Sequence, residues 1–248
     1  SWAYKIFKQT ATKLLNAPFL LFNITNFDNE LRNNQCSSNI FHTIPSYRML
    51  TDALAQYLFK KNWKNVLILQ GPKQSDEEYA KSFKSSATRL GINIVGSQLF
   101  ILSNDPRKRS TTNVALLTSG LNYDVVFVAD HEGEFSRYAN YNTYLPRLLI
   151  GDEGMMASAW HWTWERHGAP QLNQRFNRVE KSRKMRAEDW AAWASIKSVI
   201  TAIQKTKSTN YKKLRSFLLN PKTTIDTYKG NPSSFRNWNN QMRQPILM

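Results

Sequence analysis

The sequence contains little cysteine and glycine and has no long apolar run. A single cysteine, Cys36, among 248 residues excludes an internal disulfide framework and zinc sites built from CxxC pairs, although it leaves open a thiol partner outside the chain. No stretch approaches the roughly eighteen apolar residues of a transmembrane helix. The nine glycines form neither a GxGxxG nor a GxxxxGK[ST] loop, so nucleotide binding by the standard phosphate loops is not expected.

Features of a signal peptide are also missing. The chain begins with Ser1, and residues 2–15 lack a basic start and an apolar centre. We therefore expect a processed or excerpted chain, and the N-terminus does not indicate a compartment.

Acidic residues are scarce relative to basic ones. The 34 Lys and Arg oppose 18 Asp and Glu, which gives a formal net charge of +16, and residues 171–248 alone carry 16 basic and 4 acidic side chains. This excess raises nucleic acid or another anionic surface as a partner. However, the sequence has no zinc-finger spacing, no RNP-type strand and no basic region followed by heptads. We interpret the charge as the solvated surface of helices, with phosphate binding or docking to an acidic partner as alternatives.

Apolar periodicity predicts alternating helices and strands. Continuous apolar runs at 66–69 and 125–128 are typical of strands covered on both faces, as in a parallel sheet. Further strands are predicted at 19–22, 92–95 and 148–150. Helices are predicted at 2–15, 46–61, 75–90, 112–119, 170–181, 187–205 and 211–219. The alternation predicts an α/β fold built from right-handed βαβ units, with doubly wound parallel sheets.

Polar residues follow the predicted strands at 23–27, 71–75, 130–132 and 152–153. Doubly wound sheets bind ligands beyond the carboxyl ends of their strands, so these residues are candidate contacts. Asp130, His131 and Glu132 could supply a general base or metal ligands, because a carboxylate beside an imidazole fixes its tautomer. Adjacent residues at a strand end rarely point at one ion. Contact with a ligand by one of the three is therefore the favoured interpretation, and plain solvation is the alternative.

A Trp-rich segment at 159–167 contains His161, Glu165 and His167. On a helix His161 and Glu165 would be one turn apart, but the HExxH order of zinc proteases is absent. We interpret the segment as packing at a core edge or hinge, with stacking of tryptophan on a ligand as the alternative. The sequence has no GxSxG motif, and Cys36 lies in no known histidine-paired signature, so an acyl-transfer enzyme is not supported.

Two sets of segments resemble known proteins. The first set resembles the type I periplasmic binding proteins and consists of 19–23, 39–46, 52–58, 66–69, 123–130, 151–154 and the residues Phe235, Trp238 and Asn239. The second set is similar to one subgroup, the substrate-binding proteins found with ABC transporters of PQQ-dependent alcohol dehydrogenase systems. It consists of 133–135, 159–162, 164–176, 189–194 and 241–245. The resemblance extends over nearly the whole chain.

The resemblance implies an α/β, two-lobed type I periplasmic-binding-protein fold with parallel doubly wound sheets, in which the N-terminal part of lobe I is missing. It assigns 1–45 and 168–235 to lobe I, and 46–167 and 236–248 to lobe II. The implied protein is no enzyme but the solute-binding component of an ABC transporter, which closes on a small molecule in the cleft between its lobes. Its partners would be that solute and an ABC permease in the inner membrane. We expect a periplasmic monomer linked to PQQ-dependent alcohol oxidation, without cofactor, metal or nucleic acid.

Four ligand-binding residues are implied by position in the resemblance. Asn26 would contact the solute from lobe I, and Ser75, His131 and Glu153 would contact it from lobe II. In amino-acid-binding relatives the acidic residue corresponding to Glu153 meets the ligand ammonium. The aromatic residue common in the second loop is replaced around Ser75, and the Ser/Thr pattern that grips a carboxylate is not evident at 23–27. The class of solute therefore stays open.

Three other functions are compatible with the sequence. The first is a basic α/β protein that binds nucleic acid or another anionic partner, and the second is a ligand-sensing domain. The third is an α/β enzyme that uses Asp130, His131 and Glu153.

Overall fold

A computed structural model of the chain describes residues 18–103 and 105–248. The predicted helix at 2–15 lies outside these residues. In chain order the strands and helices are β1 (Leu21–Asn23), β2 (Ile40–His42), α1 (Tyr47–Lys61), β3 (Asn65–Gln70), α2 (Gln74–Arg89), β4 (Asn93–Leu99), α3 (Arg109–Thr112), α4 (Val114–Thr118), β5 (Val125–Ala129), α5 (Ser136–Ala139), β6 (Leu148–Gly151), α6 (Ala169–Val179), α7 (Ala187–Thr206), α8 (Tyr211–Leu219), β7 (Ser234–Phe235) and β8 (Met242–Arg243).

The chain divides into two compact units. Among the described residues, unit 1 contains those up to Ser46 together with Ser158–Leu247, and unit 2 contains Tyr47–Ala157 with Met248. This division differs from the predicted lobes at Ser46, 158–167 and 236–247, which were placed in lobe II and lie in unit 1. The difference has a packing reason, because Trp160 lies in the core of unit 1 and the segment around Gln241 is hydrogen-bonded to buried groups of the same unit.

Unit 2 is built on a four-stranded parallel sheet with the order β4-β3-β5-β6. The central strands β3 and β5 pair in register from Val66 opposite Val125 to Gln70 opposite Ala129. Every residue of β5 is buried, as is the apolar centre of β3, which explains why these segments are apolar without alternation.

Helices cover both faces of this sheet. On one face Tyr79 and Phe83 of α2 pack against Phe127, and the rings of Phe83 and Phe127 stack with centroids 4.0 Å apart. On the other face the side chains of Leu67 and Val126 pack in a second core cluster with Phe100, Val114, Leu117, Tyr123 and Phe135. The predicted doubly wound α/β architecture is confirmed by this arrangement.

Unit 1 contains a short parallel pair, β1 and β2, and the antiparallel pair β7 and β8. The core beside them is rich in aromatic rings. Phe41 of β2 meets Phe235 of β7 edge-on with ring centroids 5.0 Å apart, and the indoles of Trp160 and Trp190 stack at 6.2 Å. Both indole N–H groups are satisfied, by Asn173 Oδ1 and the carbonyl of Thr227 respectively.

The length of the helices is relevant to membrane insertion. Among the described residues, no helix combines the length and apolar character needed to cross a bilayer.

Candidate functional site

Three loops converge at the carboxyl edge of the unit 2 sheet. They follow β3, β5 and β6, which are adjacent and parallel, so their carboxyl ends lie at the same edge. The predicted contacts Ser75, His131 and Glu153 lie in or just beyond these loops, one in each. The salt bridge between Lys73 and Glu132 joins the first two loops directly.

His131 is the centre of a hydrogen-bond network that joins three elements. Its ring Nδ1 lies 3.1 Å from Asp152 Oδ2, and its Nε2 lies 2.8 Å from the Tyr47 hydroxyl. Its backbone N–H donates to Asp76 Oδ1 at 3.0 Å. In the neutral ring, Nδ1–H donates to Asp152 and Nε2 accepts from Tyr47. Both ring nitrogens are thus engaged within unit 2, and His131 links α1 and the loop after β6 through its ring and α2 through its backbone.

Asp76 anchors the first loop from the first turn of α2. Its side chain is 2% exposed, and its Oδ2 accepts a hydrogen bond from the backbone N–H of Lys73 at 3.2 Å. Such a bond satisfies an otherwise unpaired donor at a helix N-terminus. The carboxylate also lies against Gly71, where an added Cβ would collide with it. Glycine at 71 therefore permits the position that Asp76 takes beneath His131.

Asp130 is committed to the backbone of its own loop. Its Oδ2 accepts from the N–H groups of Phe135 and Ser136 at 3.0 and 2.8 Å, and its own N–H donates to Asp152 Oδ2 at 2.8 Å. The side chain is 5% exposed. These contacts make Asp130 the residue that shapes the loop carrying His131.

Two tyrosines form the wall beside His131. The centroid of the Tyr47 ring lies 5.4 Å from the ring centroids of both Tyr79 and His131. The ring of Tyr79 also contacts that of Phe127 in the sheet. Burial, together with the charge of Asp152 and the neighbouring Tyr47, raises the pKa of Tyr79 well above its usual value. Tyr79 therefore stays a neutral phenol at physiological pH.

Opposing effects act on the charge of His131. Burial favours the neutral ring, but the hydrogen bond and charge of Asp152, with the charges of Asp76 and Asp130, outweigh it and raise the pKa of His131 above its usual value. The side chain is 31% exposed, so solvent still reaches it. A proton on His131 gives the network a cation held between carboxylates.

We predict that Asp152→Asn lowers the pKa of His131, because Asp152 is the main group that stabilises its charged form. Stability from a raised pKa is fully present below the unfolded value near 6.5 and is lost as pH rises through the folded pKa. The variant should therefore lose stability relative to wild type at low pH more than at high pH. An NMR titration of the His131 ring measures the pKa directly. Glu134→Gln, an exposed change, is the control, and an unchanged pKa in Asp152→Asn would contradict the assignment.

The other predicted residues lie at different depths. Glu153 is half-buried, and its Oε1 lies 3.4 Å from Asn140 Nδ2, which is a long hydrogen bond. The Ser75 hydroxyl lies 3.4 Å from Asp76 Oδ1. Asn26 lies in unit 1 after β1, where its Oδ1 accepts from the Asp28 N–H at 2.8 Å and its backbone is bonded to Asn23. Asn26 thus also stabilises its own turn.

Within residues 18–103 and 105–248, no group of three or more His, Cys, Asp or Glu side chains is arranged to hold a metal ion. In the Trp-rich segment, His161 Nδ1 lies 2.6 Å from the Thr163 hydroxyl.

Solved structures share the architecture of this chain. A leucine-, isoleucine-, valine-, threonine- and alanine-binding protein from Brucella ovis, in its closed conformation, matches 97% of the chain with a TM-score of 0.78 at 14% identity. A periplasmic binding protein from Burkholderia mallei matches 95% with a TM-score of 0.69 at 16% identity. An ABC transporter solute-binding protein from R. palustris in complex with benzoate matches 96% with a TM-score of 0.71 at 12% identity.

The chain has the type I periplasmic-binding-protein fold. It spans 65%, 67% and 69% of the three matched chains from B. mallei, B. ovis and R. palustris. No protein-family model matches this sequence, and no curated protein matches it.

Several residues of this binding-protein fold were not singled out by the sequence analysis. Tyr47, Asp76 and Tyr79 contact or surround His131, but none of them directly follows a strand. Asp76 could have been found from the sequence, because an acidic residue in the first turn of a predicted helix is a candidate capping residue. Tyr47 carried none, since its contact with His131 spans 84 residues of sequence.

Proposed function

We propose that this chain is the solute-binding component of an ABC transporter. The observation that carries the proposal is the convergence of three polar loops at the carboxyl edge of a parallel sheet, in a fold shared with solute-binding proteins. Binding is non-enzymatic, and the four residues that we propose as contacts to the solute are Asn26, Ser75, His131 and Glu153. The partner that receives the solute is an ABC permease.

The charge at the site favours a solute with a cationic group. Glu153 is half-buried, and within the described part of the chain its carboxylate accepts only a long hydrogen bond, from Asn140 Nδ2, so it keeps acceptor capacity for a ligand. An ammonium group would form a charge-assisted hydrogen bond with it. The similar structures include a protein that binds leucine, isoleucine, valine, threonine and alanine, and a protein in complex with benzoate. Of these two classes, an amino acid suits Glu153, whereas the carboxylate of benzoate would be repelled by it.

The narrower sequence resemblance supplies the biological setting of the proposal. It links the solute to PQQ-dependent alcohol oxidation, in the periplasm, with the protein acting as a monomer.

The rival function of binding nucleic acid would be recognised by its salt dependence, because affinity that depends on phosphate contacts falls steeply as the salt concentration rises.

We predict that a branched-chain amino acid binds the protein and stabilises it. Glu153→Gln should weaken the affinity for this amino acid between about 10-fold and 100-fold, because it removes a hydrogen bond to a charged group. A ligand at about 100 times its Kd adds about 2.7 kcal/mol to the stability, which a thermal-shift assay detects. The screen contains leucine, valine, benzoate and short-chain alcohols and aldehydes, and calorimetry follows for each compound that shifts the melting temperature.

The matched control is Glu134→Gln, which removes an exposed carboxylate near the same loop. It should leave the affinity unchanged. Binding of benzoate to the wild-type protein that Glu153→Gln leaves unchanged, with no shift by leucine or valine, would assign an aromatic acid as the solute instead of an amino acid. No shift with any compound would contradict solute binding by this chain.

A further inference from the structure

Unit 1 has a surface with uncompensated positive charge. It is formed by the end of α7, all of α8 and the turn after α8. Residues 190–225 contain seven basic side chains and no acidic one. Six of them make up what we term the basic face: Lys205, Lys207, Lys212, Lys213, Arg215 and Lys222. All five lysines are exposed, and Arg215 is half-buried. Within the described part of the chain, none of the six forms an ion pair.

The folding of α8 explains why this charge faces outward. The helix buries Leu214 and Leu218 in the core of unit 1. Lys212, Ser216 and Asn220, spaced four residues apart, therefore lie along the opposite side as a ridge. The N-cap Asn210 fixes the start of the helix by accepting hydrogen bonds from the backbone N–H groups of Lys212 and Lys213.

Two open grooves flank this ridge. One, of about 640 Å³, is lined by Lys212 and Arg215 together with Ser38, Tyr211, Ser216, Leu219, Asn220 and Pro221. The other, of about 420 Å³, is lined by Lys212 and Lys213 together with Thr206, Ser216, Phe217 and Asn220. No carboxylate lines either groove. Arg215 is held in place because its Nε donates to the carbonyl of Ser38 at 2.9 Å.

We propose that the basic face docks on a membrane surface of anionic phospholipids, with headgroup phosphates entering the two grooves. Clusters of four to eight Lys or Arg are typical of attraction to anionic lipid surfaces. Five of the six cations are lysines, which are depleted in protein–protein interfaces, whereas arginine is enriched there. The hydroxyl and amide groups of Ser38, Ser216 and Asn220 can donate to phosphate oxygens. This docking does not depend on the identity of the solute or on the proposed transport function.

The test is co-sedimentation of the full chain with vesicles. The two compositions are pure phosphatidylcholine and phosphatidylcholine with about one third phosphatidylglycerol, at low ionic strength. We expect binding to the anionic vesicles alone, and its loss at about 0.5 M salt, where the Debye length falls below about 5 Å. The variant K212Q/K213Q/K222Q should partition about 100-fold more weakly, because each lysine near the surface contributes about fivefold.

The control is K60Q/K64Q/K81Q, which removes the same charge from exposed positions of unit 2. It should retain nearly all of the wild-type partitioning, and thermal melting of both variants checks that the exposed changes leave the fold intact. If the two variants weakened vesicle binding equally, the net charge of the whole protein and not the basic face would be responsible, and the proposal would be overturned. Absence of binding to the anionic vesicles would overturn the proposal. So would binding of duplex DNA that is tighter than vesicle binding and is lost in K212Q/K213Q/K222Q, because the occupant of the basic face would then be nucleic acid.

Discussion

Gly151→Ala is expected to destabilise the protein by about 3 kcal/mol, the sum of a left-handed backbone penalty of about 1–2 kcal/mol and the cost of overpacking against neighbouring atoms. Gly151 has a φ of 116° at the end of β6, and an added Cβ would collide with the carbonyl oxygen of Val128 in the adjacent strand. The collision involves backbone on both sides, so no side-chain rotation relieves it. Urea denaturation measures the loss as a lower free energy of unfolding.

The same substitution should disturb the candidate site. Asp152 directly follows Gly151, and its N–H donates to the carbonyl of Val128 at 3.0 Å. If the turn shifts to accommodate a methyl group, Asp152 moves away from the His131 ring. We therefore expect the NMR-measured pKa of His131 to fall in Gly151→Ala, in the same direction as in Asp152→Asn.

Gly91→Ala and Gly120→Ala are matched controls for this prediction. Both glycines have a positive φ, 66° and 72°, but among the described residues no atom beyond their chain neighbours lies within 4 Å of an added Cβ. Each should cost only the backbone penalty of about 1–2 kcal/mol. A loss in Gly151→Ala no larger than in these controls would show that the strand contact contributes nothing.

The parallel sheet of unit 2 could be predicted because its signal is local. Strands buried on both faces need apolar residues at every position, and the predicted runs 66–69 and 125–128 lie inside β3 and β5. The helices α1 and α2 were likewise predictable from periodicity and from the Gly91 that follows α2. In each case the residues that specify the element lie within the element.

Local sequence patterns could not assign the C-terminal segment, residues 236–247, to unit 1. Residues 236–247 have little regular structure, and their position is set by hydrogen bonds to groups about 200 residues away. β2 was missed for a related reason, since three residues give no periodicity. Both features depend on contacts that one short segment does not encode.

The candidate site was predictable only in part, for the same physical reason. The rule that ligands bind after strands placed Ser75, His131 and Glu153 at one edge, and the three loops do lie together there. The partners that hold His131 come from helix starts: Tyr47 begins α1, and Asp76 lies in the first turn of α2. Their proximity to His131 follows from how the helices pack on the sheet, which the order of elements alone does not determine.

Gln241→Leu is expected to destabilise the protein by about 3 kcal/mol or more, because it removes the partner of a buried charge. Gln241 is 1% exposed and Arg32 is 5% exposed, and Arg32 Nε donates to Gln241 Oε1 at 3.0 Å. The amide Nε2 of Gln241 also donates to the carbonyls of His42 and Ile44, both at 3.1 Å. Leucine fills a similar volume but satisfies none of these groups, so the loss isolates the hydrogen bonds from packing.

A graded series sharpens the interpretation of that loss. Gln241→Glu keeps an acceptor for Arg32 but places a carboxylate oxygen against the carbonyls of His42 and Ile44, so its stability should lie between those of wild type and Gln241→Leu. Gln204→Leu, on an exposed position of α7, should change stability by no more than about 0.5 kcal/mol. If Gln241→Leu matched that control, the C-terminal segment would be held by packing of residues such as Met242 and not by the amide. The expected order of the three variants follows from which buried polar atoms each one leaves without a partner.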